Sequence, residues 1–399
     1  IEDITVLKDA SAAVYGARAA YGVILVKTKR GKVGTPSISY NGQFGFTDAL
    51  KLPKMLSAYD YGRIYNAARA AGTSTSDTES DNLRTQYFQT DELDTMRGLN
   101  YDLVDKEWSA AWTQRHSLNI NGGTDKTQYL ISGSFLDQKG LMRHGKDKFQ
   151  RYTLNGKITT AVTDWFKVTY STKWTREDFE RPSYLTGNFF HNLARKWPVH
   201  PAYDPNGFPM DEGEVEQMEN GGKQNSQKDF YTNQLQLVFE PIKNWKINLD
   251  GSVRTTTQYQ HWEVLPVYAY NVAGDPYYTV WDMGYGSYAA GSSRVNEYSW
   301  KENYYTTNIY SDYFKQFDNG HYFKVMAGFN AELYKTRNIT AEKNTLITPG
   351  VPTINTATDD PQAYGGYADN SVAGFFARVN WSYNCLLYTS PSPRDVEES

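Results

Sequence analysis

The sequence predicts an all-β fold, a transmembrane antiparallel β-barrel, and three observations carry that prediction. Apolar and polar residues alternate with period 2 in one segment after another along the 399 residues. Most of these segments run to about 11–14 residues, where a soluble strand centres on about 5–6 and a tilted membrane-spanning strand needs about 9–11. The connections between them alternate, short then long. A membrane barrel does the same, with tight turns on one side and long loops on the other.

Composition agrees. Tyr, Phe and Trp make up 15% of the chain, which favours extended structure with polar loops. Lys and Arg number 41 against 45 Asp and Glu, a net charge of −4, too balanced for a nucleic-acid surface. No apolar run of about 18 residues occurs, so no transmembrane helix is expected. Barrel strands escape that search because they alternate. The single Cys385 excludes a disulfide framework and a cysteine-based zinc site.

The first element is the β-branched run of residues 4–7, a strand. Residues 11–15 favour one or two helical turns, with Ser11 as cap and Gly16 just past the end. Residues 23–28 make a second strand. The alanines and glycines between them let backbones approach closely.

In this stretch Leu7, Lys8, Asp9, Ala10, Ser11, Ala12, Ala13, Tyr15, Gly16, Arg18, Ala19, Ala20, Gly22, Val23, Ile24, Thr28, Lys29 and Gly31 follow one another in a fixed order. That order closely resembles the end of the plug domain in the SusC/RagA family of TonB-linked outer-membrane transporters. The resemblance implies that residues 1–34 are the C-terminal part of a plug, with Lys8, Asp9, Tyr15, Gly16, Arg18 and Gly22 as its motif. Lys8, Asp9 and Arg18 would then make polar contacts with a polar wall. Residues 35–384 would be the N-terminal part of the barrel, about ten strands of about 22. Family membership further implies energised import across the bacterial outer membrane, driven by TonB. A SusD-like surface lipoprotein would be the partner and an oligosaccharide or peptide the substrate. Outer-membrane lipid would surround the wall, with no cofactor and no catalysis. On the residues alone, a passive porin-like channel and a soluble glycan-binding β-sandwich stay open.

The barrel strands follow in order. In residues 37–47, Ile38, Tyr40, Phe44 and Phe46 share one face and Ser39, Asn41, Gln43 and Thr47 the other. Similar strands are predicted near 115–122, 127–137, 149–161, 165–178, 230–240, 245–258, 302–316, 321–334 and 372–384. In the last of these Phe376 breaks the polar side. Short turns fall at 123–126, 162–164, 241–244 and 317–320, and long connections at 48–114, 138–148, 179–229, 259–301 and 335–371. The first long connection holds a helix over 55–72 with Ser57 as cap. From Cys385 the alternation stops and Ser390-Pro-Ser-Pro-Arg breaks any strand, so residues 385–399 are expected to be a non-native tail. Ile1 is no initiator methionine, and the chain is expected to start inside a longer polypeptide.

Motifs for catalysis are missing. The six histidines show no metal-ligand spacing and are expected on walls or loops. Asp359-Asp360 and Asp275-Pro276 read as loop turns, with calcium ligation as the other reading. The long connections are rich in aromatic residues, which suit stacking on sugar rings or apolar peptide groups. Trp197, Tyr203, Trp262, Tyr278 and Trp281 are the candidate substrate-binding residues. The bland expectation for each is loop packing or an aromatic girdle at the membrane edge.

Overall fold

The computed structural model describes residues 2–8, 22–72, 87–210, 214–271, 273–280, 293–383 and 386–387. Asp9, Tyr15, Gly16, Arg18, Trp281 and the tail from residue 388 lie outside the described residues. So does the short helix expected at 11–15.

Two short strands open the chain, β1 (Asp3–Leu7) and β2 (Val23–Lys27), paired antiparallel with Asp3 opposite Lys27 and Leu7 opposite Val23. Gly22 leads into β2 with φ +101°, where a Cβ would stand 2.8 Å from the Leu7 carbonyl oxygen, so only glycine fits.

The main sheet then begins. Its strands are β3 (Gly34–Thr47), β4 (Ala111–Gly123), β5 (Thr127–Lys139), β6 (Lys148–Ala161), β7 (Phe166–Pro182), β8 (Lys223–Ile242) and β9 (Trp245–Val264). β10 (Pro266–Tyr270) and β11 (Pro276–Val280) form a separate hairpin. β12 (Arg294–Gln316), β13 (His321–Leu346), β14 (Ala357–Tyr383) and the two-residue β15 (Leu386–Leu387) complete the sheet. Each strand pairs antiparallel with the next, so chain order and sheet order coincide. One continuous sheet, rather than two packed face to face, overturns the soluble sandwich. All four short turns stand where the sequence puts them. Thr124 donates to Thr127, Val162 to Phe166 and Phe317 to His321, and Asn244 takes φ 72° in the turn before β9.

Register assigns the two faces. Tyr313, Val325 and Val379 are cross-strand partners, as are Ile309, Phe329 and Phe375. Tyr170 pairs with Leu235 and Ile158, and Leu118 with Tyr40. These side chains share one face, and Phe375 is 88% exposed on it, as a lipid-facing residue must be. Two aromatic belts bound the band. At the turn side, Phe166 stacks on Phe239 with centroids 4.5 Å apart, and Phe323 stacks on Trp381 at 6.3 Å. At the other side, Phe135 meets Tyr152 at 5.1 Å and Trp174 meets Tyr231 at 6.5 Å. On β13 the outward positions Phe323, Val325, Ala327, Phe329, Ala331 and Leu333 are all apolar. Ten residues at about 3.3 Å each, tilted by about 40°, span roughly 25 Å, the height of a barrel's apolar band.

The opposite face is polar and carries the plug-like segment. Gly31 lies against β5, where a Cβ would sit 2.5 Å from the Tyr129 backbone nitrogen. Lys29, Arg30 and Lys32 line a recess with Ser39, Asn119 and Asn121, all on the polar side of the wall. This face is the lumen. Phe376, the residue out of pattern, points into it and fills the space over Gly328.

Three expectations need correction. The connection 335–371 is not a long loop, because β13 runs to Leu346 and β14 starts at Ala357. Asp359 and Asp360 therefore sit in a strand. The ladder slips between Glu342 and Asn344, a β-bulge, and Asp360 takes φ 49° there. Its carboxylate accepts from Gln362 at 2.9 Å and Asn344 at 3.4 Å, so it forms no loop turn. Likewise β8, β9 and β12 extend well into the expected loops 179–229 and 259–301. Asp275 does cap a turn, accepting the Asn271 N–H at 3.0 Å.

Because the wall is one layer thick, buried packing concentrates in the long connections. Leu103, Val104, Tyr184, Phe189, Leu193 and Met218 form a cluster, with Met55 and Leu52 packed against it. The helix expected over 55–72 runs Ala58–Gly72, three residues shorter at its start, and Ser57 caps it, its Oγ accepting the Asp60 N–H at 3.1 Å.

Candidate substrate-facing site

The lumen wall is a lattice of paired polar groups, because strand alternation delivers every second side chain there. Gln234 and Gln236 both donate to Asp250, at 2.9 and 2.6 Å. Lys324 reaches Asp312 at 3.4 Å, Arg254 pairs with Glu302 at 2.8 Å, and the Tyr304 hydroxyl donates to Glu332 at 2.7 Å. Such a surface is wettable and offers hydroxyl, amide and charged groups to a hydrophilic solute.

Trp262 stands at the outer end of this face. On β9 the odd positions from Trp245 to Val253 face lipid, so Trp262 faces the lumen, opposite Gln224 and Asn296. The Arg294 guanidinium lies 4.8 Å from its ring centroid, a cation–π contact that holds the indole in place.

Trp197 and Tyr203 belong to the loop layer. Trp197 packs among Tyr61 at 5.6 Å, Tyr65 at 5.7 Å and His200 at 5.3 Å. Burial, and then the neighbouring Tyr65, push the Tyr61 hydroxyl up to about 12, so it stays a neutral donor. Tyr203 lines a recess of about 400 Å³ with Tyr101, Arg143, Glu107 and His144. There the His144 imidazole sits 2.8 Å from Glu219 and 4.0 Å from Glu107. The Glu107 side chain is 3% exposed, and burial pushes its carboxyl above the usual range despite His144 and Arg143. Tyr278 is placed by its backbone opposite Tyr268 in the β10–β11 hairpin. Lys8 follows β1 at an exposed position, and Gly22 leads into β2 as described above. Among the described residues no group of three His, Cys, Asp or Glu side chains could hold a metal ion.

Sequence reasoning missed Arg294 and the Glu107–His144–Glu219 group. A signal for the first existed. Carrying the alternation of residues 245–253 on to 262 puts Trp262 inside, and its cross-strand neighbours with it. For the second there was none, since those residues lie in three separate connections.

No family model matches the chain. The TonB-dependent receptor SusC of Bacteroides thetaiotaomicron is 35% identical over 156 residues, 38% of this chain and 13% of that receptor. TonB-dependent receptor P3 of Formosa agariphila is 27% identical over 172 residues, 42% of this chain and 14% of that receptor. Among solved structures, the RagAB peptide transporter superposes with a TM-score of 0.75 at 17% identity, covering 96% of this chain and 44% of that one. The RagAB importer in its 'open-open' state gives 0.71 at 19% identity. The chain thus spans less than half of the solved transporter chain, and its aligned part is a small share of the curated relatives. Over these spans the chain is similar in sequence to SusC and other TonB-dependent receptors, and it shares the outer-membrane β-barrel fold of the RagAB transporter.

Proposed function

We propose that the chain belongs to an importer that takes oligosaccharides or peptides across the outer membrane with energy from TonB, working with a SusD-like lipoprotein at the surface. Residues 1–34 serve as the end of the plug and residues 35–384 as the first part of the wall. Lys8, Asp9, Tyr15, Gly16, Arg18 and Gly22 form the plug motif. The single observation that carries this reading is the plug-like segment at Gly31, pressed against the polar face of β5 inside the wall. A passive channel has no use for a segment that fills its own lumen. Trp262, together with Trp197, Tyr203, Tyr278 and Trp281, contributes to substrate binding. The lumen-facing indole under Arg294 is the best supported of the five, since it offers a rigid apolar plane to a sugar ring or side chain.

The test uses the full-length receptor. Trp262→Ala is expected to weaken substrate binding by roughly 2–10-fold, the worth of one stacking contact, with membrane insertion unchanged. Uptake is expected to stop in cells lacking TonB. Unchanged affinity removes Trp262 from the site, and uptake that persists without TonB favours the passive channel.

A further inference from the structure

We propose that the outward face of β12, β13 and β14 carries a binding site for the phosphate groups of an anionic glycolipid in the outer leaflet. The site is built from Lys301, Lys335 and Arg337. Its level comes from the sheet itself. The outward positions of β13 are apolar from Phe323 to Leu333, and the next two outward positions are Lys335 and Arg337. On β12 the outward series passes Ile309 and Tyr305 before it reaches Lys301. Cations two and four residues above the last apolar side chain stand at the height of the lipid headgroups.

The charges are arranged for an external anion. Lys301 and Arg337 are direct cross-strand partners, and like charges placed opposite each other destabilise a sheet unless something lies between them. None of the three cations has an ion-pair partner among the described residues. Asp369, the cross-strand partner of Lys335, makes no ion pair with it. Two other outward cations are paired on the wall. Arg176 binds Asp229 through two nitrogens at 2.9 Å each, and Lys148 reaches Asp137 at 4.0 Å. At β12–β13 three cations face the single carboxylate of Asp369.

Space and shape fit the same ligand. The three cations border a recess of about 550 Å³ whose other walls include Ile339 and Tyr367. The guanidinium suits bidentate binding of phosphate, the ammonium groups supply point charge, and the tyrosine ring offers a face to an attached sugar. This site faces away from the lumen and is independent of the transported substrate.

The experiment extracts the full-length receptor from its outer membrane in mild detergent and measures bound lipid by native mass spectrometry. The unsubstituted receptor is expected to retain a phosphorylated glycolipid. Lys301→Gln with Lys335→Gln and Arg337→Gln is expected to retain on the order of a hundredfold less, and Lys301→Gln alone roughly fivefold less. Arg337→Lys, which keeps the charge, and Lys139→Gln, elsewhere on the outward face, are expected to retain it. Heat-modifiable migration on a gel reports that each variant is a closed barrel, and the single substitution carries the test if the triple one does not fold. Equal retention by the substituted receptors overturns the proposal. So does equally tight retention of glycolipid stripped of its phosphates, and so does capture of inorganic phosphate with no lipid attached.

Discussion

The two faces of one sheet answer to two solvents. Thr306 and Thr307 are neighbours on β12, yet the Thr306 hydroxyl shares a hydrogen bond with Ser252 at 2.7 Å in the lumen, while Thr307 lies between Gly251 and Ala331 in the lipid band. Nothing about a threonine decides this. The one-residue step does, since a strand turns successive side chains to opposite faces. The difference teaches that the wall owes its stability to backbone pairing plus lipid on one side, and to a polar lattice on the other.

The sharpest test of that comparison is the same substitution on both sides. Thr307→Arg, opposite Ala331 in the upper half of the band, is expected to cost about 1–2 kcal/mol in denaturant unfolding of the full-length receptor in bilayers, the depth-dependent cost of a cation facing lipid. Thr306→Arg is expected to cost less than about 1 kcal/mol, because the lumen is wet. Equal costs would mean that the faces are misassigned.

A comparable effect separates two glycines on the lumen face. A Cβ at Gly328 would stand 2.6 Å from the Tyr310 Cβ and collide with the Phe376 ring, whereas Gly374 has nothing within 4 Å. Gly328→Ala is expected to lower stability by about 1–3 kcal/mol, as overpacking does, and Gly374→Ala to leave it nearly unchanged. Thermal unfolding of both variants checks this.

The smallest expected effect lies in the loop layer, where burial replaces lipid as the excluded solvent. Glu107 has a raised carboxyl pKa in the folded state. Folding therefore favours its protonated form, and that contribution is complete below the ordinary carboxyl value and fades as pH rises through the folded one. Hydrogen exchange of the helix Leu103–Glu107 is expected to speed up over that window, and Glu107→Gln is expected to flatten the profile. An unchanged profile in the variant would assign the pH response to another group.

The sequence made the lipid-spanning part of the fold legible and little above it. Alternation was clear where one face meets lipid, as in residues 321–334 and 372–384. It fades in residues 335–346, where Lys335, Thr336, Arg337 and Asn338 put polar groups on both faces because both meet water. Those strand extensions were consequently expected to be loops. Of the candidate site, Trp262 was legible as a residue but not as a lumen group, because its strand was ended at 258. Trp197 was visible as an exposed aromatic, but its partners Tyr61 and Tyr65 come from another connection, and no local pattern links them.

The length of β13 has a further consequence. Thirteen residues separate Leu333 from the strand's end at Leu346, so the rim stands roughly 30 Å above the apolar band. The Debye length at physiological ionic strength is about 8 Å. The rim is therefore held several screening lengths away from the charged lipid surface. A negatively charged solute reaching the rim does so before it feels repulsion from the membrane, so its approach to the rim should vary little with the charge density of the surrounding leaflet.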